Sequence, residues 1–333
     1  MRRRVLAGLT LFACAHAAQS PALADDWRVQ RIDTPARVQA VETVDGQVQV
    51  NAGGLWYRVV LNDKDATLNF IDRPVKPKNP ERALPDGRVA SGTRDIARAW
   101  FAEPTDTYDH GVLGDKIEAS ALVIERSDGR REIVKLNGDA VFEDLEPRLA
   151  DLDGDGRDEI VVVKSYLRRG SALAVIAERK GKYEIVAETQ PLGSPHQWLN
   201  PAGIGDFNGD GKIDIALVRQ PHVVGQLELW SWIGGGLRKT AELPDTSNHI
   251  AGSRALNMSV SADFDGDKVT DIAVPSLDRS KLRLLSFMPA HEIASVALPA
   301  RAVTNLGLIP IENSPPAVVL GLADGSLVAV RRN

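Results

Sequence analysis

The sequence predicts an all-β repeat protein. Three observations carry that reading: an acidic loop recurs at a near-constant period, a β-branched run follows each copy, and no sustained helical periodicity lies around them. The copies begin at Asp151, Asp206 and Asp263, 55 and 57 residues apart. They read Asp-Leu-Asp-Gly-Asp-Gly-Arg-Asp-Glu, Asp-Phe-Asn-Gly-Asp-Gly-Lys-Ile-Asp and Asp-Phe-Asp-Gly-Asp-Lys-Val-Thr-Asp.

Each loop leads into a strand-like run, at 160–163, 213–218 and 272–274. A second run follows at 172–177, 227–232 and 282–287, and a third at 183–188, 237–243 and 292–298. A short run precedes each loop. Four strands per period is the content of one propeller blade. The expected fold is therefore a β-propeller of four-stranded blades, five to seven of them, with six favoured. The repeats carrying acidic loops span about 148–203, 204–259 and 260–304. Degenerate blades are expected in 25–147 and 305–333, giving a single domain over 25–333. Around Asp324-Gly325 the chain reads as a hairpin. The alternating segments at 38–44 and 47–51 could complete the last blade and close the ring, which removes exposed strand edges. The Pro-rich stretch 72–92 reads as a long surface loop.

Residues 1–24 read as an export signal: Arg2–Arg4, an apolar run from Val5, and a small-x-small cleavage pattern at Ala22-Leu23-Ala24. The apolar run is too short for a permanent membrane anchor, and no later stretch is suited to span. Loss of its three arginines takes the formal charge from −5 to −8. An acidic chain argues against a nucleic-acid partner. The expected location is periplasmic or secreted, as a monomer. Cys14 is the only cysteine. It is either discarded with the signal or, if Leu11–Cys14 acts as a lipobox, becomes a lipidated N-terminus. Either way the exported protein has no disulfides, so another crosslink would be useful.

The acidic loops have calcium chemistry. A hard cation takes several oxygen ligands, and acids at positions 1, 3, 5 and 9 can turn inward, with a backbone carbonyl at position 7. The candidate ligands are Asp151, Asp153, Asp155, the carbonyl of Arg157 and Glu159. In the second loop they are Asp206, Asn208, Asp210, the carbonyl of Lys212 and Asp214. In the third they are Asp263, Asp265, Asp267, the carbonyl of Val269 and Asp271. Glycines at positions 4 and 6 allow the positive φ that wraps the chain around an ion. Lys268 replaces the second glycine of the third loop, at a cost of about 1 kcal/mol if left-handed. An EF-hand would need a glutamate at position 12 and flanking helices. Position 12 is Val162, Leu217 or Val274, followed by β-branched residues, so that motif is excluded. Ordinary Asp/Gly turns without metal are the alternative, and three of them would gather unneutralised charge.

These segments, above all Asp206-Phe-Asn-Gly-Asp-Gly-Lys-Ile-Asp-Ile-Ala, resemble the FG-GAP or VCBS-type repeats, best known from the integrin α-subunit propeller. The resemblance implies Ca²⁺ in the loop between the first and second strands of a blade. The Phe-Gly and Gly-Ala-Pro elements that name the family are absent.

In a four-stranded meander the 1–2 and 3–4 loops share one face of the ring. The 2–3 loops and the inter-blade segments share the other. Four of the six histidines, His110, His196, His222 and His249, fall on that second face. Binding residues collect on the loops of rigid scaffolds. His196, Trp198, His222, His249, Arg254, Asp278 and Arg279 are therefore expected to line the mouth of the channel and bind a polar ligand, a glycan or a protein. The bland alternative is that they satisfy backbone groups near the axis. A hydrolase or lyase acting on a saccharide or ester at the mouth is the competing function. No G-x-S-x-G elbow or H-E-x-x-H motif supports it.

Overall fold

A computed structural model describes residues 26–62, 65–75 and 78–333. The segment 1–24, read above as an export signal, and Cys14 within it lie outside the described residues. Strand β1 (Trp27–Ile32) pairs far along the chain and is treated last. Six four-stranded units follow in order around a ring. The first comprises β2 (Val38–Val44), β3 (Gln47–Ala52), β4 (Leu55–Leu61) and β5 (Ala66–Ile71). The second is β6 (Ala90–Ser91), β7 (Ile96–Thr105), β8 (Glu118–Arg126) and β9 (Arg131–Lys135). After the bridging strand β10 (Ala140–Phe142) comes the third: β11 (Arg148–Ala150), β12 (Glu159–Tyr166), β13 (Gly170–Arg179) and β14 (Lys182–Glu188). The fourth is β15 (Leu199–Gly205), β16 (Asp214–Arg219), β17 (Gln226–Trp232) and β18 (Leu237–Leu243). The fifth is β19 (Val260–Ala262), β20 (Asp271–Pro275), β21 (Lys281–Phe287) and β22 (Ala290–Ala297). The sixth is β23 (Ala302–Ile311), β24 (Ser314–Leu322), β25 (Leu327–Arg332) and, on its outside, β1.

The expected propeller is therefore present, with six blades. The closure is made by β1, which runs antiparallel to β25 from Trp27 opposite Arg332 to Ile32 opposite Leu327. Segments 38–44 and 47–51 do not complete that blade; they start the next one as β2 and β3. Arg37, between the two, donates to the carbonyls of Asp324 (2.8 Å) and Ala323 (3.0 Å), fastening the first blade to the Asp324-Gly325 turn.

The second strands of the blades explain why the β-branched runs were readable. Residues 160–163 and 272–274 are fully buried, because both faces of a middle strand pack against neighbouring blades. One apolar cluster joins the second, third and fourth blades, from Ile96 and Phe142 to Leu217. Others join the fifth to the sixth and the sixth to the first. Strands β23 and β3 come close where the sixth blade meets the first: a Cβ on Gly307 would lie 2.7 Å from the Val48 side chain.

Two features depart from the sequence reading. Strand β10 pairs with both β8 and β12, so the second and third blades form one continuous sheet of nine strands. The stretch 72–92 is not wholly a surface loop. Leu84 is fully buried in the large cluster, and the Arg88 N–H donates to the Leu145 carbonyl at 2.7 Å. Burial of one leucine overrides the Pro-rich character of its surroundings. Between the first and second blades the ring is not sealed by an apolar cluster among the described residues. A cavity of about 920 Å³ opens there around the axis. Its walls include β2, Trp56, Arg88, Glu146, Arg254 and Asn305.

Candidate functional site

The acidic loops join the first and second strands of the third, fourth and fifth blades, the positions expected of them. Their second residues, Leu152, Phe207 and Phe264, are at most 1% exposed and anchor each loop in the core. The N–H of each anchor donates to the position-9 acid: Leu152 to Glu159 (2.8 Å), Phe207 to Asp214 (3.3 Å) and Phe264 to Asp271 (2.9 Å). The sequence carried this signal as an apolar residue at position 2 of all three loops. Both oxygens of the first acid accept loop N–H groups, as Asp151 does from Gly154 (2.8 Å) and Gly156 (3.0 Å). Positions 4 and 6 are left-handed in every copy. Lys268 takes φ +73° where Gly156 and Gly211 take +87° and +79°.

Carboxylate oxygens of Asp151, Asp153 and Glu159 gather within 4.8 Å, and so do those of Asp263, Asp265 and Asp271. These are positions 1, 3 and 9. The position-5 acids stand outside both groups. Asp155 is instead paired with the Arg157 guanidinium at 3.0 Å. In the second loop Asn208 takes the middle place, and its amide donates to Asp214 at 3.3 Å.

Burial pushes the Glu159 and Asp271 carboxyls up to about 7, with smaller contributions from neighbouring acids. Asp271 Oδ1 is buried without a hydrogen-bond partner, though Ser286 lies close enough to moderate its pKa. Three carboxyls at this spacing with one orphaned oxygen are an incomplete electrostatic set. A cation completes it, since each like-charged pair costs on the order of 3 kcal/mol at effective dielectric 20. The residues fit a metal ion.

The opposite face gathers a second cluster. Its parts come from the 2–3 loop of the second blade (Tyr108, His110), the segment into the third blade (Glu143), the segment into the fourth (His196, Trp198), the fourth blade's 2–3 loop (His222) and the segment into the fifth (His249). His110 and His196 stack at 4.9 Å with planes 12° apart, and Tyr108 meets both edge-on. The His196 N–H donates to the Tyr108 hydroxyl at 2.9 Å. Trp198 lies parallel to His222 at 6.1 Å and edge-on to His249 at 4.8 Å. Glu143 joins the two halves. Its Oε1 sits 2.5 Å from His110 Nδ1, and its backbone carbonyl accepts from Trp198 Nε1 at 3.1 Å. Ser165 donates to its Oε2.

The histidine tautomers follow from the network. The Ser253 carbonyl only accepts, so His249 donates to it from Nε2 at 2.9 Å. His249 Nδ1 then accepts from His222 Nε2, also at 2.9 Å. His222 Nδ1 is left with a lone pair. Burial lowers both histidines to about 4, which keeps them neutral near pH 7. Glu143 is fully buried and its carboxyl is raised by that burial, against the opposing pull of His110. Nearby Glu118 is pushed up to about 10 by burial and the adjacent Glu143, and its Oε2 has no partner.

Of the seven residues expected at the mouth, Trp198, His222 and His249 meet directly, and His196 joins them through His110 and Glu143. Arg279 is close enough to depress both His222 and His249. Arg254 does not join them. It pairs with Asp86 and Asp115, each at 2.7 Å, on the cavity wall. Asp278 is spent in its own turn, accepting from Ser276 and Ser280. Glu143, Tyr108 and Glu118 were not singled out from sequence. Glu143 and Tyr108 lie in loops assigned to this face, whereas nothing local marks Glu118, at the start of β8, as special.

The FG-GAP-like repeat family matches the chain twice, over residues 151–217 and 206–274, which include all three acidic loops. Residues 151–274 thus carry FG-GAP-like repeats, set in a propeller of four-stranded blades. No curated protein matches. Among solved structures, the rhamnogalacturonan lyase YesW is similar at 11% identity and a TM-score of 0.47, over 88% of this chain. The chain spans 66% of the length of that structure. BBS1N in complex with ARL6DN is similar at 13% identity and a TM-score of 0.37, over 91% of this chain and 80% of that one. Among the described residues, no helix is long and apolar enough to cross a membrane.

Proposed function

We propose that this protein is an exported, calcium-stabilised propeller that binds a polar ligand, a glycan or a protein, on the face opposite its acidic loops. The observation that carries the reading is the convergence of Tyr108, His110, Glu143, His196, Trp198, His222 and His249. They come from 2–3 loops of the second and fourth blades and from the segments leading into the third, fourth and fifth, and they form one hydrogen-bonded and stacked cluster. The cavity beside it, about 920 Å³, is of the size that holds small ligands. Ser253 belongs to both, since it lines the cavity and accepts from His249.

Calcium would be held by the acids of positions 1, 3 and 9, supported by Asp155, Asp210 and Asp267 and by the carbonyls of Arg157, Lys212 and Val269. There it would act as a crosslink within each blade. The test of the binding reading is an array of glycans and exported proteins probed with the calcium-loaded protein and with His196→Ala and His222→Ala variants. Retention that both variants abolish supports it. Retention that both leave untouched places the ligand elsewhere.

A second reading adds turnover at the same cluster. It is favoured by Glu143, a buried carboxyl with a raised pKa, in contact with His110 and close to the equally buried Glu118. Such pairs perform acid–base work on saccharides or esters. Product release from a bound glycan, abolished by Glu143→Gln with binding retained, separates this reading from simple recognition.

A further inference from the structure

Arg279 is a cation on the histidine face with no ion pair among the described residues. It sits in the 2–3 loop of the fifth blade at φ +60°. Its backbone is fixed on both sides: its N–H donates to Ser276 at 2.8 Å and its carbonyl accepts from Ala302 at 3.0 Å. Its side chain has no such anchor. Among the described residues no carboxylate lies within ion-pair distance of its guanidinium, and its Nε is buried with no hydrogen-bond partner. The adjacent Asp278 could have paired with it but is turned into Ser276 and Ser280. Burial lowers Arg279 most; the exposed Arg301, whose neighbour Ala302 bonds the Arg279 carbonyl, lowers it further, and Asp278 opposes both.

A buried donor left unmade is costly, and a protein seldom keeps one without a use for it. A second arginine beside it compounds the imbalance. The Arg279 loop meets that of His222, where a Cβ on Gly225 would lie 2.8 Å from Leu277, and the Nδ1 lone pair of His222 is an acceptor with no partner. Two guanidiniums without an ion pair, sharing only the influence of Asp278, and a neutral acceptor match a ligand that carries both an anion and a hydroxyl. Planar guanidinium forks recognise carboxylate and sulfate oxygens in pairs.

We propose that Arg279, supported by Arg301, is the anion-recognising group of this face, and that the ligand is an acidic saccharide whose carboxylate or sulfate seats there while a hydroxyl donates to His222 Nδ1. The inference rests on the binding reading above and narrows its ligand class.

The test compares uronate oligosaccharides, sulfated oligosaccharides, carboxyl-reduced neutral counterparts and an acidic peptide. Each is titrated into wild type, Arg279→Gln, Arg279→Lys and Arg301→Gln. In parallel, the Arg279 Nε–H resonance is followed with acetate and sulfate as minimal probes. Acidic saccharides should bind at least tenfold more tightly than neutral ones, and the Nε–H should shift with the anion that matches the better-bound class. Arg279→Gln should lose about 10- to 100-fold, the worth of a charge-assisted pair. Arg279→Lys should lose less, and the exposed Arg301→Gln a few-fold. Because Arg301 is on the surface, its variant keeps the test sound even if Arg279→Gln fails to fold.

Equal binding of neutral and acidic saccharides, or acidic binding indifferent to both Gln variants, overturns the anion assignment and leaves the binding reading standing. Preference for the acidic peptide over every saccharide overturns the saccharide class. Absence of any retention on this panel and on the broader array, with an unmoved Nε–H, removes both.

Discussion

The two faces of this ring solve opposite electrostatic problems. On one, acids converge and wait for a cation: Asp271 Oδ1 is buried with no partner. On the other, neutral histidines pass one hydrogen bond along to Ser253, and a guanidinium lacks an anion. The first face is built from loops that repeat. The second is built from loops that share no sequence pattern and meet only because the blades bring them together. Repetition suits a structural clamp, which every blade can use. Irregularity suits recognition, where each blade contributes one different group.

Removing calcium should break the comparison most severely. Each site occupied at about a hundred times its dissociation constant adds about 2.7 kcal/mol to the folded state. With three sites, a chelator should lower the melting temperature by on the order of 10–20 °C. An unmoved melt would mean that the two faces do not differ in this way. Truncation of Trp198 comes next. The ring is 3% exposed and packs on two histidines, so Trp198→Ala should cost about 3–5 kcal/mol in denaturant unfolding. It should do so equally with and without calcium, which separates the faces.

Titration sharpens the contrast from the other side. His222 and His249 are depressed to about 4 in the folded protein, below their unfolded values near 6.5. The unfolded chain therefore binds more protons between pH 6.5 and 4. Stability should be full above that window and fall as the pH drops through it. For the fully buried His249 alone the loss is on the order of 3 kcal/mol. Urea midpoints across that range should show it, and a His222→Asn, His249→Gln protein should flatten it.

The smallest effect is expected at Lys268. Lys268→Gly relieves about 1–2 kcal/mol of left-handed strain but returns about 0.5–1 kcal/mol of unfolded-state entropy. The melt without metal should move by less than about 1 kcal/mol, while calorimetry should find tighter calcium binding at the third loop. A weaker third site after the change would remove Lys268 as the reason the loops differ.

Much of the ring was legible because its causes are local. Strands 237–243 and 227–232 show their period in the residues themselves, and the acidic loops bind their own backbone. The strand order then assigned each histidine to a face without knowledge of any contact. What could not be read depends on distant partners. Arg254 is drawn away from the histidines by Asp86, 168 residues earlier. Leu84 leaves a Pro-rich stretch for the core because neighbouring blades offer it a pocket. Glu143 becomes the hub only once Trp198, 55 residues on, reaches its carbonyl. Asp155 is assigned to the metal by its position, and only the structure shows that Arg157 two residues later competes for it.

The pairing of β1 with β25 also sets how the ring would respond to force. Trp27 stands opposite Arg332, so the two ends of the pair lie side by side and point the same way. Tension between them would load the hydrogen-bonded rungs one at a time, as a zipper is loaded, rather than shearing all six pairs together. Its closing strand would peel at low force, and the sixth blade would be the first to open under load.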